Sequence, residues 1–105
     1  MTPYLIIYSC KSSVRKFKTA DAVIRDCAWD NCWFYHLNNT WIIKSKMTVD
    51  EIGTKLLEAV DSQNDFLIIE IANNYACWLP QEALDYMKDR IFNENEEENE
   101  EVEEN

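Results

Sequence analysis

A near-continuous apolar run opens the chain: YLIIYS, Tyr4 to Ser9, holds Leu, Ile and Tyr without a polar break until Ser9. Such a run predicts a strand that is buried on both faces or paired at the centre of a sheet. KSSVRKFK follows with four bases in eight residues and reads as a loop. Ala20, Val23, Ile24 and Cys27 then recur at spacings of three and four, the stripe of an amphipathic helix over roughly residues 19–28. Asp30-Asn31 ends it. In CWFYHLNNTWIIKS two aromatic and β-branched runs flank Asn38-Asn39, and Asn tolerates the left-handed backbone that tight hairpins require.

Thr48 with Glu51 three residues later forms a capping box, and Ile52, Leu56, Ala59 and Val60 supply the apolar face of a second helix. SQND closes that helix, and DFLIIEIA reads as another strand. Asn73-Asn74 is a turn signal, and YACWL after it is a short candidate fifth strand. Pro80 suits the first position of a last helix, QEALDYMKDRIF, with Ala83, Leu84, Met87 and Ile91 facing inward. The predicted order is β-α-β-β-α-β, then a short strand and a C-terminal helix. That is an α+β chain on the ferredoxin-like βαββαβ sandwich plan.

Composition refines this picture in three ways. At 105 residues there is room for one hydrophobic core, expected over residues 1–92. The net charge of −10 is unevenly placed: from Asn93 the sequence NENEEENEEVEEN carries eight Glu and no base, leaving 12 acids against 10 bases before it. Residues 93–105 therefore read as a disordered acidic tail, since one Val cannot offset chain entropy and charge repulsion. Solubility is its simplest role; mimicry of nucleic acid in a partner's groove is a rarer one. Finally, no apolar run reaches membrane-span length, and MTPYLII lacks the basic start of a signal peptide. Cys10, Cys27, Cys32 and Cys77 show no C-x-x-C pairing. Reduced, mostly buried thiols in a cytoplasmic protein are the expectation.

YLIIYS, the aromatic strand before NNTWIIKSKMT, and DEIGTKLLEAVDSQNDFLIIEI together resemble the small SinR-like family over roughly residues 4–79. That family is similar in turn to the CRISPR-associated nuclease-like protein that partners the spacer integrase, and to the VapD-type ribonucleases. The resemblance implies a homodimer of ferredoxin-like subunits, with a late strand or C-terminal segment completing the partner's sheet. Tyr75, Cys77 and Trp78 are the expected interface residues. It also implies, in active members, an Asp at the end of the first strand; two such carboxylates paired across the dimer axis can hold a divalent metal that activates water. The matching position here is Ser9, whose neutral hydroxyl is a poor ligand for a hard cation.

Other groups are weaker candidates. Glu70 shares a strand face with Phe66 and Ile68 by alternation, and the simpler reading is a paired surface carboxylate rather than a metal ligand. Asp21 and Asp26 read as solvated positions on the first helix. His36 shares a predicted strand face with Cys32 and Phe34, but nothing supplies the third group or oxyanion donors of a Cys–His nucleophile. Ser9 has no nucleophile elbow and no evident base. Lys11, Arg15, Lys16 and Lys18 with Phe17 among them form a basic, aromatic stretch suited to phosphates and a stacked base, with a solvated loop as the plainer reading. The expectation is a catalytically inactive homodimer that binds nucleic acid or protein, in a phage–host defence or counter-defence setting, without cofactor. A nuclease using Mg²⁺ and an acidic mimic acting through the tail are the alternatives.

Overall fold

The computed structural model describes residues 1–9, 14–37, 39–59 and 65–93, with residues 14–19 described by their backbone. The apolar opening forms strand β1 (Thr2–Ser9), followed by helix α1 (Val14–Cys27). Strands β2 (Trp33–Leu37) and β3 (Thr40–Ser45) make the hairpin; helix α2 (Val49–Ala59) and strand β4 (Asp65–Glu70) follow. Helix α3 (Gln81–Tyr86) runs on into a π-helical turn, Met87–Ile91. The four strands pair antiparallel in the order β2-β3-β1-β4, so β1 is central and β4 and β2 are the edges. The 93–105 tail, apart from Asn93, lies outside the described residues, as do Cys10, Lys11, Asn38 and Val60. No helix among the described residues is long and apolar enough to cross a membrane.

Alternation along β1 divides the sheet into two faces. Tyr4, Ile6 and Tyr8 point inward with Trp41 and Ile43 of β3, and all are buried. Against them pack Ala20, Ile24 and Cys27 of α1 and Ile52 and Leu56 of α2, so both amphipathic stripes read from the sequence meet one sheet face. Buried polar atoms in this layer are paired, as their desolvation demands. Ser45 donates to the Cys27 carbonyl at 2.6 Å and accepts from the Met47 amide at 3.0 Å, tying the end of α1 to the turn before α2. Tyr4 donates to the Met47 carbonyl at 2.7 Å. The Thr48–Glu51 capping box closes in both directions, at 2.9 and 3.2 Å.

Three expectations are corrected. Arg15–Lys18 is not a loop: α1 begins at Val14, five residues before the expected start at Thr19. No Gly or Pro stands between Val14 and Lys18, and Arg and Lys are good helix formers, so the helix extends back from its apolar stripe. YACWL is not a strand: no ladder includes residues 71–80. After Asn73-Asn74 the chain passes over the outer face of the sheet instead. Pro80 is the N-cap of the last helix rather than its first turn, at φ −57° and ψ 153°, one residue before the expected position.

The C-terminal segment covers part of that outer face. Ala83, Met87 and Ile91 are buried, and the Tyr86 ring meets Phe34 of β2 edge-on at 5.5 Å. Tyr86 also accepts from the Trp33 amide at 2.9 Å and donates to the Asn31 carbonyl at 3.1 Å. Arg90 reaches the Asp30 carbonyl and carboxylate at 3.0 and 3.3 Å and the Cys32 sulfur at 3.0 Å. These bonds grip the turn before β2, where Asp30 and Asn31 hold left-handed φ of 49° and 56°, which Asp and Asn adopt more readily than most residues. Lys44, only 3 % exposed, donates from Nζ to the Asn93 carbonyl at 3.0 Å and lies 5.7 Å from the centre of the Trp29 ring. Its ammonium thus holds the carbonyl of the residue just past the helix C-cap, Phe92, and has a hydrogen-bond partner where it is buried.

Candidate functional site

The outer face left over by α3 is the least conventional surface of the protein. Leu5 and Ile7 of β1 stand opposite Ile69 and Leu67 of β4 in register. Ile7, Leu67 and Ile69 are 42, 55 and 44 % exposed although they belong to a sheet. Between this patch and α3 lies a cleft of about 300 Å³, whose walls include Leu5, Ile42, Leu37, Tyr75, Met87 and Phe92. Its roof is the irregular segment after Asn74, held where Tyr75 stacks on Phe92 at 5.3 Å. Among the described residues, no charged side chain lines the cleft. Beside it, between the cleft-lining Cys77 and Leu79, Trp78 is fully exposed.

Of the expected interface residues, Tyr75 and Cys77 line this cleft and Trp78 stands at its rim. They come together on a strap rather than a strand. Cys77 is an exposed free thiol, whereas Cys27 and Cys32 are buried, as expected of most of the thiols. Burial pushes the Cys27 thiol above its ordinary value, which disfavours thiolate.

The polar candidates are scattered. Ser9 pairs with Asp65 at one end of the β1–β4 ladder, whereas Glu70 pairs with Tyr4 at the other. Five residue steps along the strand separate Asp65 from Glu70, about 17 Å, so Glu70 cannot serve the Ser9 end. Asp65 itself was not anticipated as a partner of Ser9. The signal was present: in an antiparallel pairing of first and last strands, the residue that opens one meets the residue that closes the other. Asp21 is not simply solvated. It accepts a hydrogen bond from the buried Tyr8 hydroxyl, which Trp41 Nε1 also approaches at 3.5 Å. Desolvation, then the bond to Asp21, hold the Tyr8 pKa far above that of free tyrosine.

Cys32 and His36 do not form a pair. Cys32 precedes β2 and is fully buried beside Arg90, while His36 is exposed. A register shift between Phe34 and Leu37 also breaks the alternation on which a shared face depended. Of the basic stretch, Arg15, Lys16, Phe17 and Lys18 fall in the first turns of α1, and Lys11 lies outside the described residues. Among the described residues, no group of three or more His, Cys, Asp and Glu is placed to hold a metal ion. No protein-family model and no curated protein matches the chain.

Proposed function

We propose that this chain is a ferredoxin-like homodimer of the SinR-like kind that acts in the cytoplasm by binding rather than by cutting. The strand order β2-β3-β1-β4, with α1 and α2 on one face, supports the ferredoxin-like plan. The observation that carries the functional reading is the outer sheet face. Its exposed Ile7, Leu67 and Ile69 and its cleft, uncharged among the described residues, form an apolar surface beside an exposed Trp. Surfaces of that kind mark contact sites. The first strand meanwhile ends in Ser9, where a nuclease of this type would carry a carboxylate.

One observation favours a second reading, a metal-dependent nuclease: Asp65 lies opposite Ser9 and returns a carboxylate to that end of the sheet. A single assay separates the two. Purified protein is incubated with single- and double-stranded RNA and DNA in Mg²⁺ or Mn²⁺, alongside Asp65→Asn and Glu70→Ala. Intact substrates at all metal concentrations are the expected outcome. Cleavage that needs metal and disappears in Asp65→Asn would overturn the binding reading.

A further inference from the structure

Trp78 and the outer-face cleft are adjacent but do not satisfy each other. The indole is 100 % exposed, an unusual position for a side chain that commonly buries ~150–250 Å². Its chain neighbours Cys77 and Leu79 line a cleft of about 300 Å³ walled by Leu5, Ile42, Met87 and Phe92. A knob therefore stands next to a hole on one surface. In a two-fold contact the same patch faces itself, and a feature beside the axis on one copy meets the neighbouring feature on the other. We propose that Trp78 of each copy inserts into the outer-face cleft of a second copy, so that each site is completed by its partner's indole.

The inference rests on the homodimer reading above and adds the residue that locks it. Three observations select a second copy as the occupant. Among the described residues the cleft is lined by no Lys or Arg, so these offer nothing to a phosphate backbone. A small apolar ligand would fill the hole and leave Trp78 in water, whereas a second copy covers both at once. The area is also adequate. With Trp78 and the roughly half-exposed Ile7, Leu37, Leu67 and Ile69, the patch offers on the order of 400–500 Å² of apolar surface. A standard interface buries about 800 Å² per partner, a little over half of it apolar. Tyr75, Met87 and Phe92 give the cleft the aromatic and Met character typical of interface cores.

The test is sedimentation velocity of the full chain over a concentration series, with Trp78→Ala and the cleft-filling Ala76→Trp, each checked by circular dichroism. Because the Trp78 side chain is fully exposed in the monomer, its removal leaves the melting of the isolated subunit unchanged. The expected result is a wild-type dimer at micromolar concentration and a Kd raised at least ~30-fold in Trp78→Ala, as befits a central aromatic anchor. Mixing the two variants supplies one intact knob and one open hole, and the mixture should dimerise more tightly than either alone. A dimer unaffected by Trp78→Ala sinks the inference and leaves the homodimer reading standing. A wild-type chain that stays monomeric at 100 µM (about a hundredfold above the expected range) sinks both, even if free indole binds the cleft.

Discussion

At the scale of single residues, buried hydroxyls and thiols set how the protein responds to alkali. Tyr8, Tyr86 and Cys27 all have pKa values raised in the folded state, each chiefly by desolvation. A raised acid favours the fold while it stays protonated. The contribution is therefore complete below the unfolded values, near 9 for Cys and 10 for Tyr, and is lost as pH climbs from there toward the folded ones. Urea midpoints should be flat from pH 7 to 9 and fall steadily above it. Tyr8→Phe removes the donor to Asp21 and is expected to cost about 1–3 kcal/mol at pH 7. In exchange the variant loses less stability between pH 10 and 11.5 than the wild type. Parallel alkaline limbs in the two proteins would show that Tyr8 titrates freely.

At the scale of elements, what was legible in the sequence was local. The capping box at Thr48 and the stripes of α1 and α2 depend on spacings within one or two turns, and the structure reproduces them. The strap after Asn74 was not legible, because YACWL has strand composition and its fate depends on whether a ladder partner is available. Leu79 and Tyr75 line one cleft with Leu5, Leu37 and Ile42 of the outer sheet face instead of pairing with its edge. The cleft was invisible for the same reason, since it assembles residues from β1, β2, β3 and the C-terminus. Helix α2 also carries an improvable position. A Cβ built on Gly53 would meet only Ile68 Cδ1, at 3.9 Å, an ordinary contact. Gly53→Ala should raise stability by about 0.4–1 kcal/mol through helix propensity, measured by chemical denaturation. A loss would mean that α2 and β4 approach more closely than this geometry allows.

At the scale of the whole molecule, charge and apolar surface oppose one another. Most of the net charge of −10 comes from the eight Glu beyond Asn93, whereas the outer face that would join two copies is uncharged at its cleft. Like-charged tails repel as copies approach, and salt screens that repulsion. Truncation after Asn93 removes the tail and leaves Lys44 an oxygen acceptor, now on the terminal carboxylate of Asn93. The truncated chain should self-associate more tightly at low salt, with a Kd that varies little between 20 and 500 mM NaCl (Debye lengths of roughly 20 to 4 Å). The full chain should tighten as salt rises. Equal salt dependence in the two would place the tail away from the contact.

The register shift in β2 has a consequence for association of a different kind, strand against strand. Between Phe34 and Leu37 the register slips, and the amide of Trp33 is already taken by Tyr86, so this edge is a poor template for another strand. Strand β4, regular over its whole pairing with β1, is the remaining smooth edge. A sheet that can be extended from both sides can grow into a fibre, copy upon copy. One extendable only at β4 is exhausted after a single edge-to-edge pairing, so strand addition alone builds no fibre.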